Sequence, residues 1–559
     1  MPAADRTPPP VSPIMDDDWR DGVVYQVYPR SFADHDGNGT GDLAGIIDHL
    51  DHFGPDRLAI DAIWLSPIFP SPGRDLGYDV SDHSAVDPLL GTEADFDRLV
   101  IACHDRGIRV ILDLVMNHTS DEHAWFRASR ASRSGPYADY YLWRDPSGWD
   151  AAGQPLPPNN WVSVFSGPGW EWVPERRQFY FHTFLAGQPE LNWRNPAVEA
   201  AQWAMVRGWL ARGVDGFRLD VFNAFLKDPD RRDNPVIPGD SAWSRLEHLH
   251  DLNHPDFVDL IGRFRAIIDE QPGRLSVGEL FVGGTELAAD YTTDRHLVFD
   301  WSLIESSWTA PSFAAAIERR EAAYGPDRWP TVTLSNHDRE RQATRLAASV
   351  GRDREPDRDA IAKAAAVLVL ARRGAPFLYY GEEIGMTDVD IPRDEIVDPP
   401  ALRVGPDFAW YDRSRCRTPM QWRPGPGGGF TTGHPWLRLA PDADRRNVAT
   451  QAADPDSVLA TYRRLLAFRA TDAALRTGRM SLLGSPDPDV LAWTREGDNR
   501  RLLVVVNFAA AARRVDVAGL LPGRWVGRVG THREPATTGH DGILVLRPDE
   551  AVILEPAAD

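Results

Sequence analysis

The chain reads as an α/β protein: a (β/α)₈ TIM barrel with a domain inserted after its third strand and an antiparallel β-sandwich at its C-terminal end. Three observations predict this. Eight short β-type runs alternate with longer amphipathic stretches, the rhythm breaks once after the third run, and beyond about residue 478 the pattern becomes all-β.

The runs are 23–28 (VVYQVY), 62–69 (AIWLSPIF), 109–115 (RVILDLV), 214–222 (VDGFRLDVF), 275–280 (LSVGEL), 297–303 (LVFDWSL), 330–335 (PTVTLS) and 375–380 (APFLYY). Helical patterns such as 95–106 and 197–212 lie between most of them. No glycine-rich phosphate loop follows the first run, which disfavours a doubly wound open sheet. From Thr119 to about Glu190, clusters of Pro, Gly, Asn and Trp replace the strand–helix alternation. That interval is too long for a simple loop in a compact domain, so it reads as an inserted domain on the rim where barrel sites lie. A second irregular stretch, 387–450, includes the Gly-rich 425–429, and a helix at 456–470 closes the barrel. The all-β tail shows runs at 489–494, 501–508, 523–528 and 543–547. The expected division is a disordered tail at 1–14, barrel at 15–118, insert at 119–190, barrel again at 191–476 and a C-terminal β domain at 477–559.

Bulk properties narrow the function. A chain of 559 residues is too long for one core. Net charge is −21, which argues against nucleic acid and anionic membrane as partners, and no run of eighteen apolar residues offers a membrane span. The start, Met1 to Pro13, has no apolar h-region and does not read as a signal peptide. Cys103 and Cys416 are far apart and read as free thiols, so a cytoplasmic setting is expected. Lysine occurs only at 227 and 363, leaving Arg to carry the positive charge. Twenty Trp fit a protein that covers the C–H faces of sugar rings, although most large aromatics are core.

Polar groups collect where the predicted strands end. Strand three ends in Asp113 and runs on to Asn117-His118, strand four ends Arg218-Leu-Asp220, strand five ends at Glu279, and strand seven leads to Asn336-His337-Asp338. A single strand-end Asp is more often a loop cap than a catalyst. Four acids, two His and an Arg from four strand ends converge far less readily by accident, because a barrel puts those ends on one face.

These segments resemble the α-amylase family of glycoside hydrolases (family 13), nearest its oligo-1,6-glucosidase and α-glucosidase branch. The matching segments are DLVMNH at 113–118, GFRLD at 216–220, VGEL at 277–280 and LSNHD at 334–338. GYDVSDH at 77–83, QPELNW at 188–193, GEEIGM at 381–386 and RTPMQW at 417–422 support them, from about residue 19 to the C-terminus, in order. The resemblance implies a retaining, exo-acting α-glucosidase acting on small α-glucosides, with transglucosylation as a side activity. Asp220 would be the nucleophile and Glu279 the acid/base, protonated before attack with its pKa raised by neighbouring carboxylates. Asp338 would be the third acid. Arg218 would orient Asp220, and His118 and His337 would bind glycone hydroxyls. Asp79 and Arg413 would grip the non-reducing end, Tyr78 would stack beneath the ring and Phe165 would line the pocket. The family often carries Arg-Asp where this chain has Arg413-Ser414. Val221, next to the nucleophile, goes with α-1,6 hydrolysis in that branch, whereas Thr or Ala goes with α-1,4.

Asp34, Asp36, Asn38, Thr40 and Asp42 place oxygen donors at alternate positions with glycines between, the logic of a calcium loop. The branch has a structural metal here, so Ca²⁺ is expected, with Mg²⁺ or a metal-free turn as alternatives and no cofactor for catalysis. Two rivals remain on sequence: a glucosyltransferase or disaccharide isomerase of the same family, and a non-catalytic binding homologue. The second tends to lose the acids, which this chain keeps. Linkage preference and oligomeric state stay open at this point.

Overall fold

The computed structural model describes residues 19–54, 56–293, 296–404 and 412–557, so the expected tail at 1–14 lies outside it. Eight strands build the central sheet: β1 (Val24–Val27), β2 (Ala62–Leu65), β3 (Arg109–Leu114), β4 (Gly216–Leu219), β5 (Leu275–Gly278), β6 (His296–Val298), β7 (Thr331–Val332) and β8 (Ala375–Tyr379). Their order is β6-β5-β4-β3-β2-β1-β8-β7, a (β/α)₈ barrel written open between its sixth and seventh strands. Each strand is shorter than its apolar run, because the run continues into the turn that carries the polar groups. β4 stops at Leu219, for instance, and Val221 is already left-handed at φ 37°.

The chain forms two compact units, one built chiefly on Leu65–Val282 and the other on Asp18–Trp64, Gly283–Glu395 and Arg413–Asp559. In the first, β3 pairs in parallel with β4 and β4 with β5, setting Asp113 opposite Arg218. The ladder continues past the strands: Asp220 N–H donates to Leu114 O at 3.0 Å and Glu279 N–H to Leu219 O at 2.9 Å. Gly278 is required beside them, since a Cβ there would sit 2.8 Å from the Phe222 ring. The helix Pro196–Ala211 starts on an Asn195 cap with Pro at its first position, and buries Trp203, Val206, Trp209 and Leu210.

The stretch after β3 is more regular than its sequence suggests. It holds a helix, Ala124–Ala131, and a three-stranded antiparallel sheet of Trp143–Arg144, Gln178–Phe181 and Trp170–Val173. Leu142, Trp161, Trp170, Phe179 and Phe181 form its own small core. Lys227, beyond β4, ties into this stretch through an ion pair with Glu190 at 2.7 Å, both side chains 1% exposed.

In the second unit, β1 pairs in parallel with β8, and β8 with β7. Helix Val458–Thr471 precedes an antiparallel sheet of five strands, Arg479–Leu483, Val490–Gly497, Arg500–Asn507, Ala551–Pro556 and Trp525–Gly530. A two-stranded sheet, Arg513–Asp516 with Ile543–Leu546, faces it across a shared core that includes Leu503, Val515, Leu544 and Leu554. Three of these strands, 479–483, 513–516 and 551–556, were not among the four runs read from sequence.

Candidate active site

The first unit gathers its acids on one cation. Arg218, 0% exposed, donates through Nη1 to Asp113 Oδ1 and to Asp220 Oδ1, each at 2.7 Å, and through Nη2 to Glu279 Oε2 at 2.5 Å. The cross-strand pairing of Asp113 with Arg218 and the i, i+2 spacing of Arg218 and Asp220 on one strand face make this geometry local. Burial works against the Arg218 charge, but Asp113 and Glu279 outweigh it and hold the guanidinium well above its usual range. Burial raises the Asp113 carboxyl, opposed by Arg218 and by the Tyr78 hydroxyl, which donates to Asp113 Oδ2 at 3.0 Å.

Val221 follows the nucleophile candidate in the left-handed region, φ 37° and ψ 43°, where a β-branched residue is an outlier. Its backbone N–H donates to Glu279 Oε2 at 3.1 Å, so the strained turn positions the acid/base candidate. The Val221 side chain packs in a buried cluster with Phe165, Phe184, Leu185, Ala224 and Leu252.

The other expected residues of this unit have protein partners of their own. The Asp79 carboxylate, 0% exposed, accepts from Ser71 Oγ at 2.6 Å and from the N–H groups of Arg74 and Asp75. Burial raises its pKa. Tyr78 directs its hydroxyl to Asp113, and the Arg218 guanidinium lies 5.8 Å from its ring centroid. His118 is buried with Nε2 at 3.0 Å from Tyr78 O, so that nitrogen carries the proton. Gln188 Nε2 lies 3.1 Å away and donates to Asp75 Oδ2 at 3.0 Å. Burial lowers the His118 pKa, keeping the ring neutral. His118 Nδ1 lies 3.3 Å from Asn117 Nδ2, so both ring nitrogens have protein partners, and one must be exchanged for the ring to bind a sugar hydroxyl.

In the second unit the arrangement is inverted. Asp338 Oδ1 accepts from Arg417 Nη2 at 2.8 Å and Arg413 Nη1 at 3.1 Å, and Oδ2 lies 3.0 Å from His337 Nε2. His337 Nδ1 is 2.8 Å from Gln26 Nε2, and its carbonyl accepts from Arg417 Nε at 2.7 Å. Arg417 is fully buried, and its guanidinium lies 5.4 Å from the Tyr28 ring centroid.

The Gly/Asp loop also belongs to this unit. Asp34, Asp36 and Asp42 offer carboxylate oxygens all within 4.8 Å of one another, a hard-oxygen set that suits Ca²⁺ or Mg²⁺. Asp34 accepts from Gly37 and Gly39 N–H and from Thr431 Oγ1, Asp42 from His35 and Gly45 N–H, and Asn38 Oδ1 from Thr40 N–H. Burial raises Asp42.

Two residues with clear structural roles were not singled out from sequence: Gln188 and Arg417. Each lies inside a quoted motif, but its partner is distant in the chain. Cys103 and Cys416 are both buried and unpaired with each other, and among the described residues no helix is long and apolar enough to cross a membrane.

The chain matches the α-amylase catalytic domain over residues 26–478. It is 40% identical over 523 residues to the probable α-glucosidase of Rhizobium meliloti (strain 1021), covering 90% of this chain and 92% of that one. It is 34% identical over 569 residues to the oligo-1,6-glucosidase of Heyndrickxia coagulans, covering 96% and 98%. Among solved structures, the α-glucosyl transfer enzyme XgtA superposes with a TM-score of 0.89 at 38% identity, covering 98% of this chain and 100% of that one. With the catalytic-domain match spanning both the acids on Arg218 and the cluster around Asp338, and the relatives aligned along nearly the whole chain, this protein belongs to the α-amylase family of glycoside hydrolases.

Proposed function

We propose that this glycoside hydrolase is an exo-acting, retaining α-glucosidase that removes terminal α-linked glucose from disaccharides and short oligosaccharides, with transglucosylation as a side activity. The observation that carries the reading is Arg218 holding Asp220 and Glu279 on its two terminal nitrogens. Carboxylates sharing one guanidinium are close neighbours, which fits the ~5–5.5 Å of a retaining pair better than the ~6.5–9.5 Å that leaves room for a water.

In this reading the Asp220 carboxylate attacks the anomeric carbon as the glycosidic C–O bond breaks, and Glu279 gives its proton to the departing oxygen. Glu279 then takes a proton from water, which attacks the same carbon and frees Asp220. Glu279 Oε2 already accepts from both Arg218 Nη2 and the Val221 N–H, which fills its two lone pairs and leaves none for the transferable proton. Either Oε1 carries it or the Arg218 contact opens when substrate binds. Asp338 serves as the third acid, for sugar hydroxyls that tighten as the ring flattens, and Asp79 and Arg413 keep their assignment to the non-reducing end.

Asp220→Asn should lower kcat by at least ~10²–10⁴-fold while substrate still binds. Glu279→Gln should lose less on substrates with good leaving groups. NMR of the first product should show α-glucose, and β-glucose first would overturn the retaining assignment. A transferase reading is supported by the likeness to XgtA. Products followed at low and high substrate separate the two, because hydrolysis dominates at both only if water outcompetes sugar for the covalent intermediate.

For the Asp34–Asp42 loop we propose structural Ca²⁺. Chelation, or Asp42→Ala, should lower the melting temperature and leave kcat of the folded enzyme nearly unchanged, since an ion bound only by the native state stabilises it. An unchanged melting temperature with no response to added Ca²⁺ removes the ion from this account. The two buried thiols fit a reducing, cytoplasmic setting.

A further inference from the structure

A cavity of about 550 Å³ opens between the helix Pro196–Ala211, the loop at 81–84 and the segment His123–Trp125. That is within the ~300–1,000 Å³ of small-molecule pockets. None of its lining residues belongs to the acids on Arg218.

Gln202 lines this cavity and is 1% exposed, yet among the described residues neither its amide nitrogen nor its amide oxygen has a hydrogen-bond partner. Turning the amide over leaves both ends unmet in either orientation. His83, also buried, lines the same space. Its Nε2 lies 2.7 Å from Val115 O, and a carbonyl only accepts, so Nε2 carries the proton and Nδ1 presents a lone pair. That Nδ1 has no partner either. Such buried, unmet groups are rare in folded proteins and mark a place where something polar belongs.

The rest of the lining says what that something is. Arg212 is engaged by Glu93 and Asp97. Burial holds the imidazoles of His83 and His123 far below their usual range, to about 4 and about 3, so both are neutral at neutral pH. Asp82, exposed, accepts from the Ser84 hydroxyl and backbone N–H. No free cation is offered to an anion and no acid cluster to a metal. Trp125 and Met205, half-buried, supply apolar surface.

We propose that this cavity is a second binding site, separate from the acids, for a neutral polyhydroxylated ligand such as a single sugar ring. Vicinal hydroxyls both donate and accept. They meet Gln202 Oε1 and Nε2 together with His83 Nδ1, while the C–H face of the ring rests on Trp125 and Met205. The assignment stands whether or not Asp220 is the nucleophile.

The test is calorimetric titration of the full chain with D-glucose, beside Gln202→Leu and Gly208→Leu. Gln202→Leu keeps the size and removes the hydrogen-bonding atoms. Gly208 lines the cavity at a helical position where an added Cβ meets nothing within 4 Å, so a leucine there grows into open space. Wild type should show two classes of glucose site, each variant should lose one, and kcat/KM at low substrate should be unchanged in both. Crystals grown in glucose should show a ring against Gln202. One class of site in wild type up to about 100 mM glucose, two decades above a millimolar Kd, overturns the proposal. So does a second class that survives both substitutions, or density at Gln202 for ordered water alone.

Discussion

Arg218 and Asp338 stand at the centres of two charge clusters built in opposite senses. Around Arg218, one guanidinium serves three carboxylates: Asp113, Asp220 and Glu279. Around Asp338, one carboxylate is served by two guanidiniums and an imidazole, from Arg417, Arg413 and His337. The first cluster carries more negative charge than its cation can neutralise and lies buried, so a proton or a covalent bond can be gained at one acid while the others keep the cation. The second holds its single acid ionised from several sides, with the Asp338 side chain still 27% exposed. One arrangement suits a site whose charge changes during a reaction, and the other suits a site whose charge must stay fixed.

The largest expected effect separates the two. Arg218→Met leaves three buried carboxylates without their cation and should cost about 3–5 kcal/mol of unfolding free energy, together with nearly all activity. Arg417→Met leaves Asp338 with Arg413 and His337 and should cost clearly less. Denaturant melts of both variants decide it: equal losses would mean the clusters are not opposites. A second test sharpens the first cluster alone. The folded pKa of Asp113 is raised to about 6, so between the unfolded value near 3.8 and about 6 the folded state holds a proton that the unfolded state has lost. The stability linked to Asp113 is therefore present at low pH and lost as pH rises through about 6. Relative to wild type, Asp113→Asn should gain stability across that window, and a difference in melting temperature that does not change with pH would exclude the linkage.

The smallest effect concerns the turn that joins Asp220 to Glu279. Val221→Thr keeps the β-branch and should shift kcat/KM from isomaltose toward maltose by about 1–3 kcal/mol. If wild type ignores isomaltose or the ratio stays fixed, Val221 is not the selector. Val221→Asn, more tolerant of φ 37°, should relieve roughly 1 kcal/mol of backbone strain and raise the melting temperature.

The sequence exposes periodicity and local motifs, and those features proved readable. Each of the eight barrel runs overlaps a strand, and the helices expected at 197–212 and 456–470 appear at Pro196–Ala211 and Val458–Thr471. Strand ends were overrun where an apolar residue continues past the ladder, as Val221 does after Leu219. The strand at 513–516 (RRVD) went unseen because it has one apolar residue, Val515, whose worth depends on the facing sheet. The candidate acids were legible because they lie in contiguous motifs. Their partners were not. Gln188 meets Asp75, and Arg417 meets Asp338 and the His337 carbonyl, across 79 or more positions of chain. The unmet amide of Gln202 sits in an unremarkable amphipathic helix, and nothing in its spacing distinguishes it from a surface glutamine.

The buried pair of Lys227 and Glu190 has a practical consequence. The chain has only two lysines, and Lys363 donates to the Asp456 carbonyl. An amine-reactive reagent therefore has very few targets on the folded protein, and Lys227 becomes one only when the stretch carrying Glu190 lets go. The labelling rate of that single side chain, followed by mass spectrometry, is a built-in clock for how often the stretch around Glu190 opens to water, readable without any engineered probe.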